Sequence, residues 1–350
     1  MKQTWVETAV RWRSEALIKA RISRLPVQSR GRGAFPHHDI GPRERAPRLA
    51  LVADLDGSDL NGMFVLSRLA AFLREVEAGQ RRDLRLRERV VIIPTISVLK
   101  TVNPRGMGIV RNATGGGVGH RGSGGAVTEA VVELTRVAYY RVDIHPASLD
   151  VEEMPQVSLY APNDDERASA CLFGLPAVIE RPVEYDQAAG LVRVWRPHGG
   201  ESFVIHAGQA GSFQTGHCET LFRGLVAFLD RTGIVSGLRL AHEEEDLHYF
   251  DLRQVLVVLA EQSGIFSSRL NVGRWVRVGE ELGQVYDGLT GGVQTRVMAP
   301  VAGLLASLRR QPLLCQGDLV ARILIPDAAT RREPARWVEQ RHERQVGRRL

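Results

Sequence analysis

Apolar runs of strand length alternate with stretches of helical periodicity over the first two thirds of the chain. Residues 49–53 form an apolar run that predicts a buried strand, and apolar positions in 62–74 recur at helical spacing. The same order continues with predicted strands at 90–94, 141–144 and 202–205 and predicted helices at 126–139 and 220–231. Because parallel strands are joined by crossover helices, this alternation predicts an α/β domain with a mixed, largely parallel sheet and flanking helices.

The two ends of the chain carry different patterns. Residues 4–23 have helical spacing, and the Pro-, Gly- and Arg-rich residues 26–47 indicate a loop or an irregular strand. From residue 252, short β-branched runs broken by glycine are typical of a small all-β barrel or sandwich. We therefore predict an α/β domain over 1–245, a β module over 252–326 and a basic tail over 327–350.

Charge and cysteine content narrow the classes of function. The formal net charge is +6, but residues 331–350 hold seven arginines and three glutamates, so subtracting this +4 leaves +2 for the other 330 residues. A nearly neutral body disfavours nucleic-acid binding. The sequence has no apolar run of about 18 residues, no apolar stretch near its start, and three widely spaced cysteines. These features predict a cytoplasmic protein that neither crosses a membrane nor depends on disulfides.

Aspartate and histidine side chains, which can bind metal ions or transfer protons, follow the predicted strands at their carboxyl ends. Asp56 and Asp59 lie in the turn after the first strand, and His145 and His206 each follow a later one. Since such ends meet at one edge of a parallel sheet, we expect these four residues to converge. The alternatives are that the two aspartates cap the next helix and that His206 is a structural histidine. Five further histidines lie in polar or glycine-rich segments and are predicted to face solvent: His37, His38, His120, His198 and His217.

Several motifs in this order resemble the succinylglutamate desuccinylase/aspartoacylase family of amide-cleaving hydrolases. They are the turn Gly57-x-x-x-Asn61-Gly62, Arg111 in a glycine-rich loop, and Asp-Ile-His ending at His145. The resemblance covers roughly residues 30–325 and implies a zinc-carboxypeptidase-like fold. It also implies a C-terminal module with biotinyl/lipoyl-like hairpins. Because that module contains no lysine, we predict that it is structural and carries no cofactor.

The resemblance also implies roles for individual residues. It places the metal ligands at Asp56, Asp59 and His145, the contact to a substrate carboxylate at Arg111, and the catalytic base at His206. Aspartates stand where the family has His and Glu ligands, and His206 stands where the family has the glutamate that activates water. Zinc accepts carboxylate as well as imidazole ligands, and a harder ligand set makes Mn²⁺ or Fe²⁺ alternatives. His206 could be a fourth ligand instead of the base.

Two functions follow from these residues. The first is a metal-dependent hydrolase that cleaves a small N-acylated amino acid or a similar carboxylate-bearing amide. The second is a protein that has lost metal and activity and acts as a binding or scaffold subunit in a complex, with Trp337 and Val338 in the arginine-rich tail as contacts for a protein partner. A homo-oligomer is expected from the family resemblance.

Overall fold

The computed structural model describes residues 23–27, 33–55, 57–95, 124–181, 190–238 and 247–326. Asp56, Arg111, His120 and the basic tail lie outside these residues, as does almost all of the helix predicted over 4–23. Residues 239–246 lie outside them too. The domain boundary that we place there therefore stays a prediction.

The described residues of the first two thirds of the chain form alternating strands and helices, as the apolar pattern predicts. The strands are β1 Ser23–Val27, β2 Gly33–Ile40, β3 Leu49–Ala53, β4 Arg85–Leu86, β5 Val90–Ile93, β6 Tyr140–His145, β7 Val151–Tyr160, β8 Ala177–Arg181, β9 Glu201–Gly208 and β10 Val235–Ser236. The helices are α1 Leu60–Glu77, α2 Gly124–Thr135, α3 Asp164–Ala170, α4 Gly190–Trp195 and α5 Thr215–Arg231, with 3-10 turns at Cys171–Phe173 and Arg196–His198.

The remainder of the described chain is built from short strands and one 3-10 turn, Leu252–Gln254. These strands are β11 His248–Phe250, β12 Val255–Leu259, β13 Gly264–Ser267, β14 Trp275–Val276, β15 Glu281–Tyr286, β16 Val293–Met298, β17 Gly303–Arg309, β18 Leu313–Leu314 and β19 Leu319–Leu324. The all-β character predicted for the C-terminal third is present in these residues.

One large mixed sheet organises the fold, with the main strand order β1-β2-β5-β3-β6-β9-β7-β17-β19-β12. In its centre β3 pairs in parallel with β5 and β6, and β6 pairs in parallel with β9. The flanking strands β2 and β7 are antiparallel to their neighbours β5 and β9. The α/β class is therefore confirmed, and the carboxyl ends of β3, β6 and β9 lie at one edge of the sheet.

Helices cover both faces of this sheet. β3 is apolar and buried throughout, because it lies between two layers of helices. On one face α1 and α5 pack together, with the rings of Phe72 and Phe222 edge to face at 6.3 Å. On the other face Val131 and Trp195 belong to a second apolar cluster. Each fully buried large apolar side chain contributes about 1.5–3 kcal/mol. No helix among the described residues is long and apolar enough to span a bilayer.

The C-terminal strands extend the main sheet through β7. β17 pairs antiparallel with β7, placing Ser307 opposite Glu153, and β19 and β12 continue the sheet outward. A separate four-stranded sheet, β16-β15-β13-β18, shares a core with them that includes Leu282, Val285 and Leu305. The C-terminal strands therefore lie beside the α/β strands and share their hydrogen bonding.

The structure adds detail to the predicted strands in three places. The strand predicted over 202–205 runs on to Gly208, so His206 lies within β9 rather than after it. Of the two alternatives for residues 26–47, loop or irregular strand, the strand is present over Gly33–Ile40, and it pairs antiparallel with Ser23–Val27. β7 was not predicted, although its ten residues are all buried.

Candidate active site

Two predicted site residues, His145 and His206, lie side by side at the edge where the central strands end. β6 and β9 are parallel and in register, which places His145 directly opposite His206. Their ring centroids are 6.2 Å apart and the rings are tilted by 31°. Cross-strand partners project to the same face of a sheet, so the two imidazoles face a common space.

His145 is held by a carboxylate from its own strand. Its Nε2 is 2.8 Å from Oδ2 of Asp143, which lies two residues earlier and therefore on the same face of β6. The Asp143 side chain is only 2% exposed, whereas that of His145 is 29% exposed. A carboxylate on one ring nitrogen fixes the tautomer and orientation of a histidine. His145 is therefore an oriented imidazole that solvent can reach.

His206 has a carboxylate partner on the neighbouring strand. Its Nδ1 is 3.7 Å from Oε2 of Glu153, and its Nε2 is 3.5 Å from the Tyr160 hydroxyl. Both partners come from β7, which pairs with β9 so that Gln156 is opposite His206. His206 is 6% exposed. The site edge therefore contains two histidines, each beside a buried carboxylate.

Glu153 is the centre of a buried charge cluster that sequence analysis missed. Its Oε1 is 2.9 Å from Nη1 of Arg322, and its Oε2 is 3.6 Å from Nη2 of Arg181. Gln156 donates a further hydrogen bond at 3.2 Å. Burial acts to raise the pKa of Glu153, but Arg181, His206 and Arg322 outweigh it and bring the pKa below its usual range. Because Arg322 lies on β19, a strand of the C-terminal third contacts the Glu153 carboxylate that lies beside His206.

The turn after β3 is tied together by aspartates. Asp59 is the N-cap of α1, with Oδ1 accepting a hydrogen bond from the Gly62 backbone N–H at 2.7 Å. The Asp59 backbone N–H donates to Oδ1 of Asp54 at 3.0 Å, and the Thr95 hydroxyl donates to Oδ2 of Asp54 at 2.6 Å. Asp59 therefore has the capping role that sequence analysis left open. Asp54 and Thr95, which no local sequence pattern indicates as partners, fix the shape of the turn.

The loop after β9 is fastened to the starts of α1 and α5. The Gln214 backbone N–H donates to the Asn61 side chain at 2.8 Å, and the Gln209 N–H donates to Oε1 of Gln214 at 2.8 Å. Gly208 has a φ of +77°, and a Cβ there would collide with the side chains of Asn61 and Gln214. This position therefore requires glycine. The hydrogen bonds of Asn61 and Gln214 hold the end of β9 against the first turn of α1.

The described donors do not fit a metal ion as they are placed. Among the residues that the structure describes, no three His, Cys, Asp or Glu side chains form a group that could hold one. Asp59 uses Oδ1 for the helix cap, and a Cβ on Gly62 would collide with its Oδ2, so the carboxylate is folded over the helix start. Because Asp56 lies outside the described residues, the ligand set Asp56, Asp59 and His145 stays a prediction.

The capping role of Asp59 predicts a specific stability pattern. We expect Asp59→Ala to lower the free energy of unfolding by about 1 kcal/mol, because an N-cap carboxylate replaced by alanine leaves a helix N–H without its acceptor. Asp59→Asn keeps an acceptor at the same place and should cost little. Urea unfolding of the two variants checks this. An asparagine variant as unstable as the alanine variant would show that the negative charge, and not the cap, matters.

Several histidines predicted to face solvent are instead packed or paired. His37 is 5% exposed. His38 is half-buried, with its pKa lowered to about 4 by burial and by the nearby Arg74 and His37. Nε2 of His217 lies 2.6 Å from Oε1 of Glu152. Of the five predictions His198 is confirmed as exposed, and His120 lies outside the described residues.

Glu152 mirrors Glu153 on the other face of β7. It contacts His217 of α5 and Arg310, which follows β17. Burial acts to raise the pKa of Glu152, but His217 and Arg310 lower it overall. Consecutive strand residues point to opposite faces, so the two glutamates tie β7 to different neighbours. Glu219, beside His217 in the sequence, instead pairs with Arg68 at 2.5 Å.

Comparison with solved structures identifies the class of fold. The ectoine utilization protein EutE (DoeB) from Ruegeria pomeroyi, solved with its product, has a TM-score of 0.62 at 21% identity, covering 87% of this chain and 94% of that one. A succinylglutamate desuccinylase/aspartoacylase from Rhodobacter sphaeroides has a TM-score of 0.62 at 18% identity, with the same coverages. An aspartoacylase family protein from Mesorhizobium loti has a TM-score of 0.57 at 16% identity, covering 84% and 90%.

The chain has the fold of the succinylglutamate desuccinylase/aspartoacylase proteins, and the resemblance predicted from sequence is confirmed at this level. No protein-family model matches the chain, and no curated protein sequence matches it.

Proposed function

We propose that this chain is a deacylase-like hydrolase that cleaves the amide of a small N-acylated amino acid at the edge between β6 and β9. The observation that carries the proposal is the pair of histidines, His145 and His206, whose rings face each other across 6.2 Å. Each has a carboxylate beside it, Asp143 or Glu153. The fold, which is that of amide-cleaving deacylases, supports the same reaction class.

The two histidines can divide the proton transfers of amide hydrolysis. In the proposed reaction neutral His206 takes a proton from water as the water oxygen adds to the acyl carbon. Glu153 stabilises the resulting imidazolium. His145, protonated and oriented by Asp143, gives a proton to the amine nitrogen as the C–N bond breaks. His206 then releases its proton to solvent and His145 takes one up, which restores both rings for the next turnover. General acid–base catalysis of this kind typically contributes about 10²–10⁴-fold. In the proposal the Tyr160 hydroxyl, which is 3.5 Å from Nε2 of His206, donates a hydrogen bond to the oxyanion.

The substrate carboxylate is assigned by the family resemblance alone. In the proposal Arg111 pairs with it, since arginine binds carboxylates through two parallel hydrogen bonds. Arg111 lies outside the described residues, so this assignment rests on its place in the sequence. Asp59 does not fit a ligand as placed, and the proposed reaction therefore uses no metal step.

Metal analysis separates this mechanism from the metal-dependent one. We expect protein purified without added metal or chelator to hold less than one equivalent of Zn²⁺, Mn²⁺ or Fe²⁺, because Oδ1 of Asp59 accepts the Gly62 N–H of the helix cap and Oδ2 lies against Gly62. Its melting temperature should not rise when these ions are added. Stoichiometric metal in the wild type that is lost in His145→Ala would instead show that His145 is a metal ligand, as the metal-dependent mechanism requires.

A catalytically inactive binding subunit is the second candidate. The capping role of Asp59 favours it, because one oxygen of that carboxylate already accepts the backbone N–H of Gly62. In this case the arginine-rich tail would contact a protein partner, and His145→Ala and His206→Ala would leave any binding through the tail unchanged. Release of amine from an N-acylated amino acid by the wild-type protein would remove this candidate.

A further inference from the structure

A cavity of about 560 Å³ lies at the edge of the large sheet opposite the proposed active site. It is lined by the segments that lead into β3, β5, β6 and β9, and the lining includes Arg48, Glu88, Arg136, Tyr139 and Gly200. These four strands are parallel, so their amino ends meet at this edge and their carboxyl ends meet at the other. Small-molecule sites typically have volumes of roughly 300–1,000 Å³. The cavity is therefore large enough for a ligand and separate from the two histidines.

Arg48 brings to this cavity a positive charge that no carboxylate pairs with among the described residues. Its guanidinium lies over the rings of Tyr139 and Tyr140, with Cζ 4.1 Å and 4.9 Å from the ring centres. An arginine stacked on aromatic rings is held in place while its planar fork of N–H groups can still bind a carboxylate or a phosphate. Arg48 is therefore a fixed cation with donors available to a ligand in the cavity.

Arg136 supplies a second set of donors at the cavity wall. Its Nη2 pairs with Oε1 of Glu133 at 2.9 Å, but its Nε is buried and has no hydrogen-bond partner. Buried N–H groups in proteins nearly always have an acceptor. Among the described lining residues the one acid is Glu88, and its carboxylate already pairs with Arg45 at 3.2 Å. The lining therefore has more positive than negative charge.

A third arginine lies directly beneath the cavity floor at Gly200. Arg141 is 0% exposed, and its guanidinium donates to the backbone carbonyls of Arg136 at 3.3 Å, of Trp195 at 3.1 Å and of Gly199. A Cβ on Gly200 would lie 3.0 Å from Nη2 of Arg141. Gly200, which lines the cavity, therefore packs against this guanidinium with no side chain between them.

The charge of Arg141 is not compensated by an ion pair within the described part of the chain. Buried charges in proteins are normally paired, because their removal from water is unfavourable. Burial lowers the pKa of Arg141, and Glu166 acts in the opposite direction without forming an ion pair with it. The carbonyl groups that Arg141 contacts carry only partial charges. A negative charge in the cavity above Gly200 would supply the compensation that the protein itself does not.

We propose that this cavity binds a small organic anion that carries two or more carboxylate or phosphate groups. Arg48 and Arg136 contact the anionic groups, and Arg141 stabilises their charge from beneath Gly200. Three guanidinium groups beside one acid that is already paired favour a multiply charged ligand over a singly charged one. Because the cavity lies at the amino ends of the strands, its ligand does not compete with a substrate at the proposed active site.

Isothermal titration of the full chain tests the cavity without any substrate. The probes are citrate and pyrophosphate, with acetate as the singly charged reference, all at the same ionic strength. We expect citrate or pyrophosphate to bind at one site per chain with a Kd below about 1 mM, and acetate to bind at least about tenfold more weakly. The tighter probe tells whether the ligand carries carboxylates or phosphates. The proposal is wrong if neither probe binds.

Variants of Arg48 assign the binding to the cavity. Arg48→Gln removes the charge and should raise the Kd of the tighter probe roughly tenfold to a hundredfold, because one charge-assisted pair is lost. Arg48→Lys keeps the charge without the planar fork, and its Kd should lie between those of the wild type and Arg48→Gln. Arg223→Gln is the matched control, because it removes the same charge at an exposed position on α5. It should leave Kd unchanged.

Arg136→Gln covers the case in which Arg48→Gln fails to fold. The backbone carbonyl of residue 136 still accepts the hydrogen bond from Arg141, so the cavity floor is kept, and the expected rise in Kd is the same. A Kd that is equal in the wild type and in the cavity variants, or that rises as much in Arg223→Gln, would overturn the proposal. In either case the anion would bind elsewhere or through overall charge alone. Amine release is measured separately, and the titration does not depend on it.

Discussion

His206→Ala is expected to lower the rate of amide hydrolysis by about 10²–10⁴, because the variant lacks the group that takes the proton from the attacking water. Melting temperature should change far less than activity, since the Glu153 carboxylate keeps its contacts with Arg181, Arg322 and Gln156. The measurement is the rate of amine release at saturating substrate, with thermal unfolding followed on the same samples.

The matched control for this variant is His198→Ala. His198 is an exposed histidine in the 3-10 turn that precedes β9, so its removal should leave both rate and melting temperature as in the wild type. Equal rates for wild type and His206→Ala would remove His206 from the reaction. A fall in metal content along with the rate would show that His206 is a ligand rather than the base.

Glu153→Gln is expected to produce the largest loss of stability, about 3 kcal/mol. Removing one partner of a buried ion pair leaves the other charges without compensation, which typically costs about 3–5 kcal/mol. The lower value applies here because the side chains of Arg181 and Arg322 are 18% and 33% exposed, and water reaches them. Urea unfolding at neutral pH measures the difference, with exposed Glu129→Gln as the control that should cost less than about 0.5 kcal/mol.

The same variant predicts a pH dependence. The pKa of Glu153 is lowered in the folded protein, so its contribution to stability is present above the unfolded-state pKa of about 4.3 and is lost as pH falls through the folded-state pKa. The difference in stability between wild type and Glu153→Gln should therefore shrink as pH falls below about 4.3. A difference that is unchanged in acid would mean that the charge of Glu153 is not what stabilises the fold.

Elements with a strong local pattern could be predicted from sequence. β3 has the predicted bounds because an apolar run is followed by a turn rich in aspartate and glycine. α1 begins two residues before the predicted start, at Leu60, because Asp59 caps it. The meeting of His145 and His206 followed from one rule, that neighbouring parallel strands end at the same edge.

The parts that were missed depend on partners distant in the sequence. β7 contains Glu152, Glu153 and Gln156, polar residues that argue locally against a buried strand. They are buried because their partners include Arg310 and Arg322, over 150 residues away, and no local pattern shows such pairing. Asp54 was missed for a similar reason. It accepts a hydrogen bond from Thr95, which follows β5 and lies 41 residues later in the sequence.

The central claim is that the edge between β6 and β9 hydrolyses amides, and release of free amine tests it most directly. The wild-type protein would be incubated with N-acetyl and N-succinyl derivatives of a set of amino acids, with and without added Zn²⁺ or Mn²⁺. We expect at least one derivative to release amine with saturating kinetics, and we expect His145→Ala and His206→Ala to abolish the release. No release from any derivative under either condition would contradict it.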